Sequence, residues 1–373
     1  MSYLHASSSI DARNQTISVI GGGMAGLAVT YHLLSQGPPS RIQVFDKAPV
    51  GNGGASAVAG GLLHPLSPRG KLVYRGIKGL YETNALLRVT VPAIVKDRLY
   101  RVATTEAQAI TFQLTAQKIP RICEWIAANE MQRICQSDTV YGGLVLQNGC
   151  KVVDVPAYLK GLWSACEHLA QEKNCQLTWT VTENAAINQD DIIVYTAGSG
   201  LFEPNSLLSA PTFPMQLVHG QSLVIRCNNN NNLKDALLCG KYISPLKDPS
   251  LVLVGSTHEF RDDLLSPEEV IHELRERTSA VAPHLWEDYI VEKITKGTRV
   301  QSERGKHGRL PIVGKLPGNK QRWVLTGLSS RGLLYHALYG KMLAKAILQG
   351  SEDCLTELDD GILWWKKKLK QST

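Results

Sequence analysis

The chain has 373 residues, 43% of them hydrophobic and 20% charged, with a formal net charge of +7. That balance excludes a long disordered or fibrous chain, and the length calls for two domains with room for a buried cofactor. The modest positive charge suits anionic ligands without marking a nucleic-acid-binding protein.

The leader MSYLHASSSIDARNQT lacks the apolar core of a secretory signal. No apolar run reaches the roughly 18 residues of a membrane span, so stable membrane insertion is not expected. Eight cysteines, at 123, 135, 150, 166, 175, 227, 239 and 354, form no C-x-x-C pair and do not group with histidines at metal-ligand spacing. Free thiols without a metal are therefore expected, in the reducing cytoplasm, or in an organelle such as the plastid if the N-terminus is truncated.

In chain order, Ile17-Ser18-Val19-Ile20 is a short β-branched strand, and Met24 to Gln36 has helical spacing up to Gly37-Pro38-Pro39. With Ile42-Gln43-Val44-Phe45 closing at Asp46, this predicts a β-α-β unit, the topology of a nucleotide site. From Gly51 to Gly61 the sequence GNGGASAVAGG suits a loop whose backbone approaches a ligand closely. Helices are expected over 72–95, over 107–130, and from Asp154-Val155-Pro156 to about Gln171, so the middle of the chain reads as a helical insertion.

Ile192 to Gly198 reads as a buried strand returning to the first sheet. The segments 213–226, 237–246 and 251–257 have the pattern of an antiparallel sheet, with Asn228 to Asn232 as an exposed hairpin loop. A helix from about Pro267 to Val281 follows, and Trp323-Val324-Leu325-Thr326-Gly327 leads into a last helix over Leu333 to Leu348. The end, Trp364-Trp365-Lys366-Lys367-Lys368-Leu369-Lys370, reads as a soluble basic tail, with contact to an anionic membrane surface as the alternative.

Gly21-Gly22-Gly23-Met24-Ala25-Gly26 fits G-x-G-x-x-G between strand and helix, which seats a pyrophosphate on backbone N–H groups at the positive helix end. Asp46, twenty positions after Gly26, can accept hydrogen bonds from ribose hydroxyls and would repel a 2'-phosphate, which argues against NADP. The fingerprint alone leaves FAD and NAD open.

Further stretches complete a pattern: Ala55-Ser56 to Gly60-Gly61, Val153-Asp154-Val155-Pro156, Thr196-Ala197-Gly198, His219-Gly220-Gln221, and Arg299 followed by Gly308 to Gly314. With the N-terminal fingerprint, they make the chain resemble the D-amino-acid oxidase and glycine oxidase family of FAD enzymes over most of its length. Gly327-Leu328-Ser329-Ser330-Arg331-Gly332-Leu333 is similar to the C-terminal motif in the FAD domain of the bifunctional tRNA wobble-uridine modification enzyme.

The resemblance implies an α/β fold, a Rossmann-like FAD-binding domain interleaved with an antiparallel-sheet (α+β) substrate domain. Expected boundaries are 15–70, 150–205 and 300–350 for the FAD domain, 71–149 and 206–299 for the substrate domain, and 351–373 for a tail. FAD is the implied cofactor. It would meet Gly21, Gly23, Met24, Ala25, Gly26, Asp46, Lys47, Ala55, Ser56, Gly60, Gly61, Ala197 and Gly198, and, at the flavin, Gly327, Ser329, Ser330, Arg331, Gly332 and Leu333. A strand-to-helix loop such as 327–334 offers N–H groups to negative charge on a reduced flavin.

Arg299 and Arg331 are the implied clamps for a substrate carboxylate, since guanidinium binds carboxylate bidentately. His64 is the third catalytic candidate, and Tyr242, His258 and His336 remain open. Six Lys or Arg (293, 296, 299, 304, 306, 309) face only Glu292 and Glu303 over 292–309, which favours an anionic substrate or an RNA backbone, with a solvated basic face as the plainer reading.

The expected activity is FAD-dependent oxidation of the C–N bond of an amino acid or carboxylate-bearing secondary amine, with O2 or a quinone as electron acceptor. A tRNA-modifying flavoenzyme acting on a carboxymethylaminomethyl uridine and a non-catalytic flavin-binding assembly protein are the alternatives, and tRNA ranks behind a small molecule as partner.

Overall fold

A computed structural model describes residues 15–90, 93–188, 190–203, 213–227, 233–260, 263–318, 321–358 and 361–369. Asn228 to Asn232 and the first fourteen residues of the leader lie outside the described residues.

A six-stranded sheet runs in the order Ile312–Lys315, Arg322–Thr326, Ile192–Tyr195, Thr16–Ile20, Arg41–Asp46, Gln176–Val181. All neighbours are parallel except the first pair. Its central strand is buried on both faces, with Ile17 and Val19 fully covered, which is what the β-branched run encodes. The helices Met24–Gln36 and Gly332–Gln349 pack closely, because a Cβ at Gly340 would come within 2.8 Å of Ala28 Cβ. The Asp154-Val155-Pro156 stretch starts the helix Val155–Glu172, where Asp154 caps by accepting from Ala157 N.

An eight-stranded sheet runs Tyr289–Ser302, Met215–Cys227, Leu251–Gly255, Tyr242–Pro245, Ala236–Leu238, Leu99–Val102, Gly143–Leu146, Cys123–Ile126. It is antiparallel except where Ala236–Leu238 runs parallel to Leu99–Val102. A small third sheet joins Leu62–Leu63, Lys151–Val153 and Ile94–Lys96.

The alternation of side chains gives the large sheet two different faces. Tyr100, Val102, Leu223, Leu237, Ile243 and Val254 point into one core, capped by Val270 and Leu274 of the helix Pro267–Thr278. Their chain neighbours Arg101, Leu238, Tyr242, Gly255 and Ser222 line a cavity on the opposite face.

Three expectations need correction. The helix expected over 107–130 ends at Lys118 because Pro120 disfavours helical backbone at the residue before it, and Cys123–Ile126 is a strand. The middle of the chain is accordingly not a helical insertion, since it contributes Leu99–Val102, Cys123–Ile126 and Gly143–Leu146 to the large sheet. The aromatic-basic end is not a free tail over Trp364–Leu369. Trp365 is fully buried, its Nε1 donates to Val313 O at 3.1 Å, Trp364 Nε1 donates to Pro311 O at 3.0 Å, and Lys368 pairs with Glu303. Among the described residues no helix is long and apolar enough to cross a membrane.

Candidate active site

One cavity of about 1110 Å³ runs between the two large sheets. It begins where the strand Thr16–Ile20 turns at Gly21, whose φ of 101° and Cβ position, 2.4 Å from Ala197 Cα, admit only glycine. Gly26 serves the same turn from within the helix: a Cβ there would lie 1.9 Å from Gly21 O. Thr196 Oγ1 donates to that oxygen at 2.7 Å and so locks the turn to the strand Ile192–Tyr195. The helix Met24–Gln36 has no side-chain N-cap of its own, and Met24 N donates to Ser56 Oγ at 3.2 Å. Its positive end therefore faces the cavity and suits a diphosphate.

Asp46 accepts from Gly22 N at 2.6 Å and Ala48 N at 2.9 Å, which fixes its carboxylate beside the turn. Lys47 pairs with Glu203 at 2.5 Å at the exposed edge of this end. Of the expected cofactor residues, Gly21, Gly23, Met24, Ala25, Asp46 and Lys47 line the cavity. So do Ala55, Ser56, Gly60, Gly61, Ala197 and Gly198. Gly26 does not reach the lining and acts through the turn.

The other end is formed by the loop after Arg322–Thr326. Gly327 turns with φ 74°, Ser329 to Arg331 make a short 3-10 turn, and the helix Gly332–Gln349 starts without a side-chain cap. Gly327, Ser329, Ser330, Arg331, Gly332 and Leu333 all line the cavity, so uncapped N–H groups stand at this end as well.

Arg299 and Arg331 both line it. Arg299 Nη2 donates to Thr257 O at 3.2 Å and approaches His258 Nδ1 at 3.3 Å. Burial lowers the pKa of both arginines, so each has lost hydration that an anion would replace. His64 also lines the cavity, and its Nδ1 accepts from Leu66 N at 3.3 Å. Burial and then the Arg101 and Arg331 charges push its pKa well below the ordinary histidine value. It is a neutral imidazole with its proton on Nε2, a hydrogen-bond donor rather than a base.

Tyr242 hydrogen-bonds Ser222 Oγ at 3.0 Å, and burial raises its pKa. His336 lies outside the cavity. Its Nδ1–H donates to Gly332 O and Leu333 O at 3.1 and 3.0 Å, and its Nε2 accepts from Tyr158 at 2.7 Å, so it braces the first turn of the last helix. The basic run 292–309 divides: Arg299 faces the cavity, Arg309 donates to Ser302 O, and Lys293, Lys296, Arg304 and Lys306 are exposed.

Arg101 and Lys241 line the cavity and were not read from the sequence. For Arg101 a signal existed: an arginine inside Leu99-Tyr100-Arg101-Val102, a strand buried at every position.

A mostly parallel sheet ending in a glycine turn, joined by one cavity to a second sheet that carries Arg101 and Arg299, is the arrangement of a dinucleotide-binding protein with a separate ligand end. Residues 16–346 match the family model DAO, FAD dependent oxidoreductase. The chain belongs to this family, and FAD is its cofactor.

The tRNA 5-methylaminomethyl-2-thiouridine biosynthesis bifunctional protein MnmC of Marinobacter nauticus is 23% identical over 89% of this chain and 55% of its own length. The chain thus spans about half of that relative. Glycine oxidase from Geobacillus kaustophilus has the same fold, with TM-score 0.71 at 20% identity, covering 91% of this chain and 96% of that one. L-alpha-glycerophosphate oxidase from Mycoplasma pneumoniae, solved with FAD bound, gives 0.72 at 17% identity, covering 91% and 98%.

Proposed function

We propose that the protein oxidises the C–N bond of an amino acid or carboxylate-bearing secondary amine to an imine, which water then hydrolyses. The observation that carries this reading is a single cavity with backbone N–H groups at one end and Arg299 and Arg331, both partly stripped of water, at the other. In this reading the turn Gly21–Gly26 holds the FAD diphosphate and Asp46 the ribose, with Lys47, Ser56, Gly60, Gly61, Ala197 and Gly198 along its length. The loop Gly327–Leu333 meets the flavin ring.

Bound FAD supplies the two-electron acceptor and passes the electrons to O2 or a quinone. The chain's own contribution is orientation. Arg299 and Arg331 grip the substrate carboxylate, Tyr242 closes the sheet side, and His64 offers a fixed donor. None of these groups needs to take a proton, because a neutral amine loses its hydride without an obligate side-chain base. Glycine oxidase, whose fold this chain shares, acts on an amino acid by its name.

The test is an anaerobic titration of the FAD-loaded protein with glycine, sarcosine and D-amino acids, read at the visible flavin bands. Bleaching by one of them is the expected result. A flavin that neither these nor other N-substituted glycines, dicarboxylates included, can reduce would remove the small-amine reading.

A second reading, action on a carboxymethylaminomethyl uridine in tRNA, is favoured by the exposed Lys293, Lys296, Arg304 and Lys306 together with the likeness to the MnmC protein. It requires tRNA binding that weakens steeply with salt, and salt-independent or absent binding would end it.

A further inference from the structure

We propose that the substrate carries a second carboxylate and that Arg101 binds it. This rests on the amine-oxidising reading above and names its substrate class.

The register of the large sheet places Arg101. Arg101 pairs with Leu238, Leu238 with Tyr242, Tyr242 with Gly255, Gly255 with Ser222, and Ser222 with Thr295. All six residues line the cavity. On the same strand as Thr295, Gly297 and Arg299 continue at alternate positions on that face. Arg101 and Arg299 therefore approach the substrate space from one sheet, several strands apart.

Arg101 is only 4% exposed. Its Nε has no hydrogen-bond partner among the described residues, and its Nη1 reaches Pro68 O only at 3.4 Å. No ion pair to it occurs among the described residues. Burial and the Arg331 charge lower its pKa to about 10, so the two guanidiniums repel each other across the space between them. A buried, unpaired guanidinium is costly, and a structure keeps one where a ligand anion completes it.

Charge balance identifies the missing group. The carboxylates lining the cavity among the described residues are Asp46, Glu183 and Glu203. They belong to the dinucleotide end: Asp46 binds the glycine turn, Glu203 pairs with Lys47, and Glu183 follows Thr182, whose N donates to Asp46 O. At the far end Lys241 is balanced by Glu273 at 2.5 Å. Arg101, Arg299 and Arg331 remain. In the amine-oxidising reading one substrate carboxylate takes Arg299 and Arg331, and a planar fork such as Arg101 then matches a second.

The test compares two thioethers with the FAD-loaded protein, methylthioacetate with one carboxylate and thiodiacetate with two. Both are inert at the C–N chemistry, and binding is read by calorimetry and by the shift of the flavin bands. Thiodiacetate is expected to bind about 10- to 100-fold more tightly in the wild-type protein. In Arg101→Leu the ratio is expected to fall to within about twofold of one, with partial recovery in Arg101→Lys.

Equal binding of the two probes to the wild-type protein overturns the proposal, whether or not the variants fold. So does an Arg101→Leu protein that keeps the ratio, or one that loses FAD while keeping it. The parent reading fails separately. If mono- and dicarboxylate amines alike leave the flavin oxidised while thiodiacetate keeps its advantage, Arg101 still binds the second carboxylate and the amine oxidation is wrong. If sarcosine bleaches the flavin and the probes bind equally, the reverse holds.

Discussion

At the dinucleotide end of the cavity the groups presented to a ligand are mostly backbone: the turn from Gly21, the uncapped helix at Met24, and Asp46 held by two N–H groups. At the far end they are side chains, Arg101, Arg299, Arg331, His64 and Tyr242, carried by separate strands and loops. The contrast has an energetic meaning. A backbone cradle depends on close approach and fails as a unit, whereas a cluster of side chains loses affinity one group at a time.

The sharpest break in that contrast is Gly26→Val. Its Cβ would meet Gly21 O at 1.9 Å, and the only relief is movement of the turn itself. Overpacking of this kind costs about 1–3 kcal/mol of stability, and the expected functional outcome is loss of bound FAD. The ratio of flavin to protein absorbance after reconstitution measures it. Retention of stoichiometric FAD would show that the backbone end is not the rigid unit described.

Next in size are Arg299→Ala and Arg331→Ala. Each removes a charge-assisted contact to carboxylate and is expected to lower kcat/KM for the amine by about 100-fold. FAD should remain bound in Arg299→Ala, because that side chain stands on the other sheet from the glycine turn. Unchanged flavin reduction rates in both variants would remove the clamp.

The same contrast explains what could be read from the sequence. The dinucleotide end is local: strand, glycine turn, helix and Asp46 fall within about thirty residues, and the period of each element is visible in the letters. The far end is assembled by register. Arg101 shares a sheet face with Tyr242 and Ser222 only because Leu99–Val102 pairs in parallel with Ala236–Leu238, and no local pattern encodes a partner more than 130 positions away.

Short strands were lost for a related reason. Cys123–Ile126 and Gly143–Leu146 have four residues each, too few to separate an alternating pattern from a helical one. Arg299 and Arg331 were legible through the family motifs around them, not through their own surroundings. The terminal helix was misread because Trp365 owes its burial to the distant strand Ile312–Lys315.

His336 joins the two ends, since it braces the turn at Gly332 and packs beneath the dinucleotide helix near His32. Burial lowers its pKa to about 4 from 6.5. The unfolded chain therefore binds more protons between these values, so the neutral side chain's contribution is intact above the unfolded pKa and is lost as pH falls towards the folded one. Between pH 7 and pH 5 the expected loss is on the order of 2 kcal/mol from this residue. Denaturant titrations at the two pH values should show a shallower dependence in His336→Gln. An equal slope in the variant would place the acid sensitivity elsewhere.

The smallest effect tests whether an exposed ion pair adds to the backbone cradle and Asp46 at the dinucleotide end. Lys47 and Glu203 form an ion pair at 2.5 Å, but each is about half exposed, at 53% and 51%. Exposed pairs contribute roughly 0–1 kcal/mol and are screened by salt. Lys47→Ala should therefore weaken FAD by less than about fivefold at low ionic strength, and the difference should vanish in high salt. Fluorescence titration of the apoprotein with FAD at two salt concentrations measures both. A loss near the size seen for Arg299→Ala on its own ligand would mean that the dinucleotide end relies on the exposed Lys47 charge as well as on its backbone groups and Asp46, and the division between a backbone end and a side-chain end would no longer describe this cavity.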